Sequence, residues 1–329
     1  MSWNKKALAT LITCTLAATS FSAAAVTTLK LSHNQDRNHP VHKSMQYMAK
    51  EMKELTDGEV RIRIYPNGQL GTQRESMELL QNGALDIAKS NASELESFEP
   101  AYGAFNIPYI FRDRDHYYRV IGGEVGEEIL EASAAKGFVG LTYYDAGARS
   151  FYASKAINSP ADLKGMKIRV QPSPTAVEMI KLMGGSPTPL SYGELYTALQ
   201  QGVVDGAENN PTALTTARHG EVAKFFSQDE HTMIPDVLVI SNKALDKLTA
   251  EQKVALKKAA KDSMMYHKDL WTKMTDAAID KAKNSMDVQF VTVEKQPFVD
   301  AVKPMHDQAL QNPAIADYVR GIDALATTK

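Results

Sequence analysis

Residues 162–211 constrain the fold of this chain most, because regular elements, special turns and polar groups follow one another there without interruption. Residues 166–171 alternate at period two, which places Met166, Ile168 and Val170 on one face and polar side chains on the other. Such alternation is typical of a strand that is buried on one side. The stretch therefore predicts a half-buried strand as its first element.

Helix and strand signals alternate through the rest of this stretch. A helical spacing over 176–183 ends at a Gly-Gly pair, which suits a helix C-terminus. An extended connector at 186–189 leads to a capping box that opens a helix over 191–201, and a short buried strand at 203–206 comes next. Since strands alternate with helices, we predict an α/β fold.

The same stretch resembles the signature region of the DctP family, the periplasmic substrate-binding proteins of tripartite ATP-independent periplasmic (TRAP) transporters. The matching motifs are DLKGMKIRV, the SPTP connector, GELYTALQQG and DGAEN, with YPNGQLG upstream and a long helix near the C-terminus. The resemblance extends through most of the mature chain. It implies a two-domain periplasmic binding protein fold with a long C-terminal helix that spans the hinge, and it implies TRAP membrane permease subunits as partners.

Residues 1–25 have the pattern of a secretory signal peptide, with two lysines, a short apolar run and a final Ala-Ala-Ala. A membrane anchor is the alternative, but the apolar run is shorter than the roughly 20 residues that span a bilayer. We therefore expect cleavage and a periplasmic location. Cys14, the single cysteine, lies inside this peptide, so the mature chain has no disulfide.

The charge of the chain argues against polyanionic partners. Its formal net charge is −2, and removal of the signal peptide takes away two lysines and no acidic residue. A mildly acidic surface without a basic run does not suit nucleic acid or an anionic membrane. We expect a monomer that binds a small-molecule carboxylate.

The length of the mature chain suggests two domains. No linker rich in Pro, Gly or Ser separates them, so the chain should cross between them more than once. We place the first domain at 26–148 with about 236–273, and the second at 149–235 with about 274–329. A helix predicted at 249–285 would be about 55 Å long, enough to lie across both domains.

A site for an organic acid needs a planar guanidinium, which takes a carboxylate through two parallel hydrogen bonds. Arg169 in the strand over 166–171 is the best candidate, although a surface arginine also fits the pattern alone. The polar loop that contains His39 would lie just past the first strand, where open α/β sheets bind ligands, with an ordinary exposed loop as the alternative. His39 and His42 imitate a metal pair, but no further ligand completes a site, so we predict no metal and no cofactor.

Two segments of the chain resemble each other. Residues 80–91, LQNGALDIAKSN, share six identities in twelve with residues 199–210, LQQGVVDGAENN. Two similar halves would each end a strand in Asn-bearing polar residues, Ser90-Asn91 and Asn209-Asn210, which would face each other across a cleft. Chance similarity of two helix-Gly-strand joints is the alternative.

The family resemblance assigns roles to individual side chains. It places a carboxylate-clamping arginine on Arg169, a second cleft arginine on Arg149, an aromatic wall on Tyr192, and cleft amides on Asn209 and Asn34. The alternatives are a solvated loop residue for Arg149, a packing residue for Tyr192 and a helix cap for Asn209. Further candidates for contact with the solute are His39, Glu94, Gln171 and Glu208.

The predicted cleft contains several amide side chains, and their number bears on the identity of the solute. They offer more hydrogen bonds than a C4-dicarboxylate uses, so a polyhydroxylated acid fits better. The YDAGAR and GAENN sequences resemble the hexuronate-binding branch of the family, so we predict D-glucuronate or D-galacturonate, with a C4-dicarboxylate or keto acid as the alternative. Asn91 stands where acidic-sugar binders of the family carry a glutamate, and the chain departs from their pattern there. Pro172 replaces a polar residue of sialic-acid binders, which argues against sialic acid.

The chain shows no familiar catalytic motif. It contains no GxSxG, GxxxxGK[ST] or HExxH, and no GxGxxG after a strand. We therefore predict a binding protein, not an enzyme, whose domains close around the acid. A secreted hydrolase or lyase of acidic sugars and a binding protein of an ATP-driven importer are the alternatives.

Overall fold

The computed structural model describes residues 26–326, and the predicted signal peptide at 1–25 lies outside the described residues. The strands are β1 (Thr27–Ser32), β2 (Val60–Tyr65), β3 (Ile87–Asn91), β4 (Phe138–Tyr144), β5 (Arg149–Ala153), β6 (Lys167–Val170), β7 (Ser186–Pro189), β8 (Gly206–Asn209), β9 (Phe225–Thr232), β10 (Asp236–Ser241) and β11 (Gln289–Thr292). The α-helices are α1 (Pro40–Leu55), α2 (Gln73–Asn82), α3 (Ala92–Leu95), α4 (Arg114–Ile121), α5 (Glu124–Glu131), α6 (Pro174–Leu182), α7 (Leu195–Gln200), α8 (Thr212–Thr216), α9 (Asn242–Leu245), α10 (Ala250–Met286), α11 (Gln296–Gln311) and α12 (Ala316–Leu325). Short 3-10 helices occupy Pro100–Asn106, Ala134–Lys136, Pro160–Leu163, Tyr192–Glu194 and His219–Glu221.

The first sheet has five strands in the order β2-β1-β3-β10-β4. Strand β1 is parallel to β2 and β3, whereas β10 is antiparallel to both β3 and β4. Every residue of β10 is buried, because its alternate side chains enter two different cores. Leu238 and Ile240 pack with α1 and α10, whereas Val237 and Val239 pack with α4 and α5. Helices therefore cover both faces of this sheet.

The second sheet has six strands in the order β11-β9-β5-β8-β6-β7. Strand β7, predicted only as an extended connector, lies at the edge of the sheet, where its two prolines are tolerated because an edge strand can lack N–H donors. The prediction of a buried strand at 203–206 was wrong. Val203 is 48% exposed, Gly202 turns the chain with a φ of +69°, and β8 begins only at Gly206.

The chain passes between the two sheets more than once. It leaves the first sheet between β4 and β5 and returns between β9 and β10. Gly147 in the first crossing has a φ of +65°, and a Cβ there would lie 3.2 Å from Cζ2 of Trp271 in α10. This close approach packs the first crossing against α10.

Helix α10 is 37 residues long and matches the helix predicted at 249–285. It begins at a capping box between Thr249 and Gln252 and ends at Asp287 in the left-handed conformation. It packs against α1 and β4 beside the first sheet and against α8 and the 3-10 helix at 219–221 beside the second. One helix therefore bridges both halves of the molecule. Within residues 26–326, no helix combines the length and the apolar character needed to cross a membrane.

Helix α12 packs beside the first sheet. Val319 and Ile322 lie in the core that also contains side chains of α4 and α5. The sequence prediction had assigned 274–329 to the second domain, and the packing of α12 does not follow that assignment. The domain boundaries themselves stay a prediction.

Candidate functional site

A small, largely enclosed cavity of about 30 Å³ lies between the two sheets. From the first half of the molecule, the predicted site residues Asn34, His39 and Asn91 line it. From the second half, Arg149, Gln171, Tyr192 and Asn209 line it. These side chains meet because β1, β3, β6 and β8 all point their carboxyl ends at the cavity, the position where α/β sheets bind ligands.

Arg149 is held by its neighbours in the second sheet. Its Nε and Nη2 atoms donate to the Glu208 carboxylate at 2.5 and 2.8 Å, Nη2 also donates to the Glu208 carbonyl, and Nη1 donates to Asn209 Oδ1 at 3.0 Å. The register explains the contact, because β5 and β8 are antiparallel and Ser150 lies opposite Asn209. Four of the five N–H groups of a guanidinium are then in use, which leaves Arg149 one N–H for a solute.

Glu208 and His231 form a buried charged pair behind Arg149. Burial raises the pKa of Glu208, but Arg149 and His231 outweigh it and hold the pKa at about 2. Burial lowers the pKa of His231, but Asp229 and Glu208 outweigh it and raise the pKa to about 9. The imidazolium lies 2.7 Å from Asp229 Oδ2 and 3.4 Å from Glu208 Oε2. Glu208 therefore acts as the partner of Arg149 and lines only a smaller cavity beside the main one.

Arg169 lies beneath Tyr192 and does not line the main cavity. Its side chain is 1% exposed, and the ring of Tyr192, which does line the cavity, is 6.0 Å from the guanidinium carbon. Nε and Nη2 both donate to the carbonyl of Leu190, at 2.9 and 2.7 Å. Since a guanidinium has five N–H groups in a fork, the paired Nη1 and Nη2 end remains for a carboxylate.

Arg169 also differs from the other buried cations in its partners. Among the buried lysine and arginine side chains of residues 26–326, Lys89 and Arg149 each have a carboxylate within 4.0 Å and Arg169 has none. Burial lowers the pKa of Arg169, yet an arginine stays charged in proteins. Burying a charge without a counter-charge costs free energy, so a bound anion would be favourable beside Arg169.

The first half of the cavity holds a polar network that the sequence did not predict. Lys89 Nζ lies 2.8 Å from Asp236 Oδ1, 3.1 Å from Gln73 Oε1 and 3.4 Å from Asn34 Oδ1. Gln73 Nε2 then donates to Glu94 Oε1 at 2.5 Å. Because Asn34 turns its carbonyl to Lys89, its NH₂ group is left for a solute.

The other predicted residues have definite positions around this network. Glu94 lines a recess next to the cavity, and burial raises the pKa of its carboxyl. His39 caps α1 by accepting from Val41 N, and its Nε2 lies 3.3 Å from Thr212 Oγ1. Burial holds the pKa of His39 well below its usual value, so the ring is neutral and Nε2 donates. Within the described part of the chain, no group of three or more His, Cys, Asp or Glu side chains is arranged to hold a metal ion.

The amide orientations follow from local caps. Asn91 Oδ1 accepts from Glu94 N at the start of α3, and Asn209 Oδ1 accepts from both Arg149 and Asn210 N. Both asparagines therefore use their oxygens within the protein and keep NH₂ donors for the cavity. The cavity thus presents mainly N–H donors, which suits an oxygen-rich solute.

The family model for bacterial extracellular solute-binding protein family 7, DctP, matches residues 31–312. The chain belongs to this family. DctP proteins are periplasmic substrate-binding proteins of TRAP transporters and not enzymes. Family membership therefore confirms the predicted class of protein over an acidic-sugar hydrolase or a subunit of an ATP-driven importer.

Several proteins are similar to this DctP-family chain over nearly its whole length. An uncharacterised protein of Salmonella typhimurium is 42% identical over 302 residues, which cover 91% of this chain and 92% of the relative. A TRAP solute-binding protein of Xanthobacter autotrophicus with bound β-D-galacturonate is 40% identical, with a TM-score of 0.87 over 90% of this chain and 99% of that structure. Another, from Anaerococcus prevotii with bound D-glucuronate, is 38% identical, with a TM-score of 0.88 over 91% and 98%. These matches confirm the predicted two-domain α/β binding-protein fold.

Sequence reasoning missed Lys89, Gln73 and Asp236, which line the cavity of this DctP-family protein. Of these three residues, only Lys89 has sequence neighbours that indicate a buried polar contact. It stands between apolar and small residues in β3, where all five positions are buried, and a lysine in such a strand needs a polar partner. Asp236, which provides that partner, follows a crossing segment and gave no pattern of its own.

Proposed function

We propose that this chain captures D-glucuronate or D-galacturonate in the periplasm and delivers it to the membrane permease of a TRAP transporter. The observation that carries the proposal is Arg169, a buried guanidinium whose described surroundings provide a carbonyl but no carboxylate. The hexuronates bound to the Xanthobacter and Anaerococcus relatives support the choice of solute.

The carboxylate of the solute would bind the free end of the Arg169 guanidinium through two parallel hydrogen bonds. The one N–H that Arg149 keeps would add a third donor to the same group. Two charge-assisted contacts of this geometry orient a planar carboxylate better than a lysine does. Tyr192, which stands between Arg169 and the cavity, would have to shift its ring as the acid enters.

The hydroxyl groups of the sugar would meet the amide donors. Asn34, Asn91 and Asn209 keep NH₂ groups for the cavity, and the hydroxyl, ring and carboxylate oxygens of a hexuronate offer these donors more acceptors than the four oxygens of succinate do. A buried donor left without an acceptor costs free energy, so these amides favour a polyhydroxylated acid.

Contacts across the cleft support a closing motion. Glu96, between α3 and the 3-10 helix at 100–106, accepts from Ser173 Oγ, Thr175 N and Thr175 Oγ1 at the start of α6. Thr212 of α8 lies against His39 of the first half. We propose that these contacts form when the two halves close around the acid and break when they open.

Export is part of the proposal. We propose that residues 1–25 are cleaved as a signal peptide and that the mature chain acts as a monomer in the periplasm. The mass of the protein released by osmotic shock gives the cleavage site, and light scattering gives the oligomeric state. A protein that retains residues 1–25, or that stays with membranes, would contradict this part.

Calorimetric titration of the mature chain, freed of ligand by unfolding and refolding, tests the solute. D-glucuronate, D-galacturonate, succinate and a keto acid are compared, with thermal shift as a second readout. A solute at about 100 times its Kd should add roughly 2.7 kcal/mol of stability. Tighter binding of succinate than of either hexuronate would refute the choice of solute, and recovery of a chemically altered sugar would refute simple binding.

A further inference from the structure

The first half of the cavity contains an ion pair that lies directly in its wall. Lys89 in β3 and Asp236 in β10 are on neighbouring antiparallel strands, and both line the cavity. Their side chains are 1% and 6% exposed, and Nζ lies 2.8 Å from Oδ1. Two charged groups have therefore been placed at the point where a solute must fit.

Lys89 has no N–H donor left for the solute. An ammonium group has three N–H donors, and Asp236, Gln73 and Asn34 provide an acceptor for each of them. Asp236 differs, because a carboxylate has about four acceptor positions and Lys89 uses one. Asp236 can therefore accept hydrogen bonds from hydroxyl groups of a solute while its charge is balanced by Lys89.

Stability alone does not explain such a pair. Removing two charges from water costs several kcal/mol per ion, and an apolar pair of similar volume is often as stable or more stable. A pair that is retained in a cavity wall can instead determine what the cavity accepts. A second carboxylate that approached Asp236 would meet a like charge, and like charges in contact cost several kcal/mol.

Of the buried lysine and arginine side chains of the described cleft, all but Arg169, which lies beneath Tyr192, have a carboxylate within 4.0 Å. Arg149 is matched by Glu208 and Lys89 by Asp236, which leaves Arg169 as the unmatched buried cation of the described cleft. One unmatched positive charge suits a solute with one carboxylate.

We propose that Asp236 is a specificity-determining residue that admits acids with one carboxylate and rejects polyhydroxylated acids with two. Asp236 accepts solute hydroxyl groups and repels a second carboxylate, and Lys89 is a positioning residue that fixes the Asp236 carboxylate and the Asn34 amide. This inference rests on the proposed function, since it concerns the same cleft.

The test compares D-gluconate with D-glucarate, two open-chain acids of equal length that differ in one terminal carboxylate. Each is used to displace a bound hexuronate, and the ratio of the two inhibition constants is measured for the wild type and for Asp236→Asn. The wild type should favour gluconate by about tenfold or more. Asp236→Asn removes the repelling charge and leaves Lys89 without its counter-charge, so the ratio should shift towards glucarate by about tenfold or more.

Two further variants separate charge from other effects. Lys89→Met with Asp236→Asn removes the repelling charge without leaving an unpaired cation, so the ratio should shift towards glucarate by less than it does in the single variant. Asp86→Asn alters another buried aspartate of the first half, paired with Lys247 outside the cavity, and should leave the ratio unchanged.

The outcomes distinguish the inference from the proposed function. An unchanged ratio in Asp236→Asn, or failure of glucarate to displace hexuronate from it, would overturn the role of Asp236 while hexuronate binding by the wild type stands. Absence of hexuronate binding to the wild type would instead overturn the proposed function, and this inference with it.

Discussion

Replacement of Arg169 by methionine should remove most of the hexuronate affinity without a comparable loss of stability. Methionine keeps much of the side-chain volume but removes the charge. The solute carboxylate would then be buried without its partner, at a cost of about 2–5 kcal/mol, which is roughly 30-fold to several thousand-fold in Kd. Calorimetric titration measures this loss directly.

The stability of the same variant follows from the described contacts. Arg169→Met leaves no carboxylate unpaired, because Arg169 has none within 4.0 Å, and only the Leu190 carbonyl loses its donors. The loss of these hydrogen bonds destabilises the fold, whereas removal of a buried charge stabilises it. The free energy of unfolding should therefore change by no more than about 1 kcal/mol.

Arg149→Met is the matched control. Arg149 is equally buried, but its removal leaves the Glu208 carboxylate without its main partner, at a cost of about 3–5 kcal/mol of stability. Urea unfolding of the two variants should therefore separate them clearly. Hexuronate affinity within about threefold of wild type in Arg169→Met would refute the clamp, and equal destabilisation of both variants would make Arg169 a structural residue.

Three further predictions concern titration, closure and packing. The free energy of unfolding should fall as pH rises through 9, because the pKa of His231 is raised to about 9 in the folded protein. The stabilisation by charged His231 is complete below pH 6.5 and is lost when the ring deprotonates. His231→Gln should flatten this profile. Glu96→Ala removes the acceptor that joins the two halves, so the Kd for hexuronate, measured by calorimetry, should rise about tenfold. In the presence of solute, this variant should have a larger radius of gyration than the wild type. Gly140→Ala should cost about 1–3 kcal/mol in urea unfolding, since its Cβ would lie 3.0 Å from the backbone of Leu130, whereas Gly193→Ala, with nothing within 4 Å, serves as the neutral control.

Each of these predictions can fail separately. A wild-type pH profile that is flat between 7 and 10 would contradict the charged state of His231. An unchanged Kd in Glu96→Ala would show that these contacts do not favour the closed form. Equal stability of the two glycine variants would contradict the tight packing at Gly140.

The sequence predicted those elements whose residues alternate or cap in a regular way. Helix α10 was found because a long run with hardly a helix breaker is a local signal. Strand β9 was missed, because Asp229 and His231 stand inside it and look like loop residues until their partners are known. The pair of valines at 203–204 resembled a strand, although Gly202 turns the chain there.

The residue pattern could suggest a site residue only where one residue type carries the chemistry by itself, and the role of Arg169 stays a prediction. A guanidinium near a strand end, as in Arg169, is recognisable because few other groups hold a carboxylate in this way. The resemblance, and not the residue pattern, supplied Arg149, Tyr192 and Asn34. The pair of Lys89 and Asp236 joins strands separated by almost half of the chain, and no spacing rule reports such a contact.

The packing of Trp271 against the first crossing gives this protein a built-in optical reporter. The chain has two tryptophans, and the other, Trp3, is lost when residues 1–25 are removed. The indole of Trp271 lies 6.0 Å from the ring of His39, which lines the cavity, and beside Gly147 where the chain passes between the halves. Any rearrangement of the cleft should alter the emission of this single indole. Rapid mixing with solute can therefore time the closing motion in the unlabelled protein.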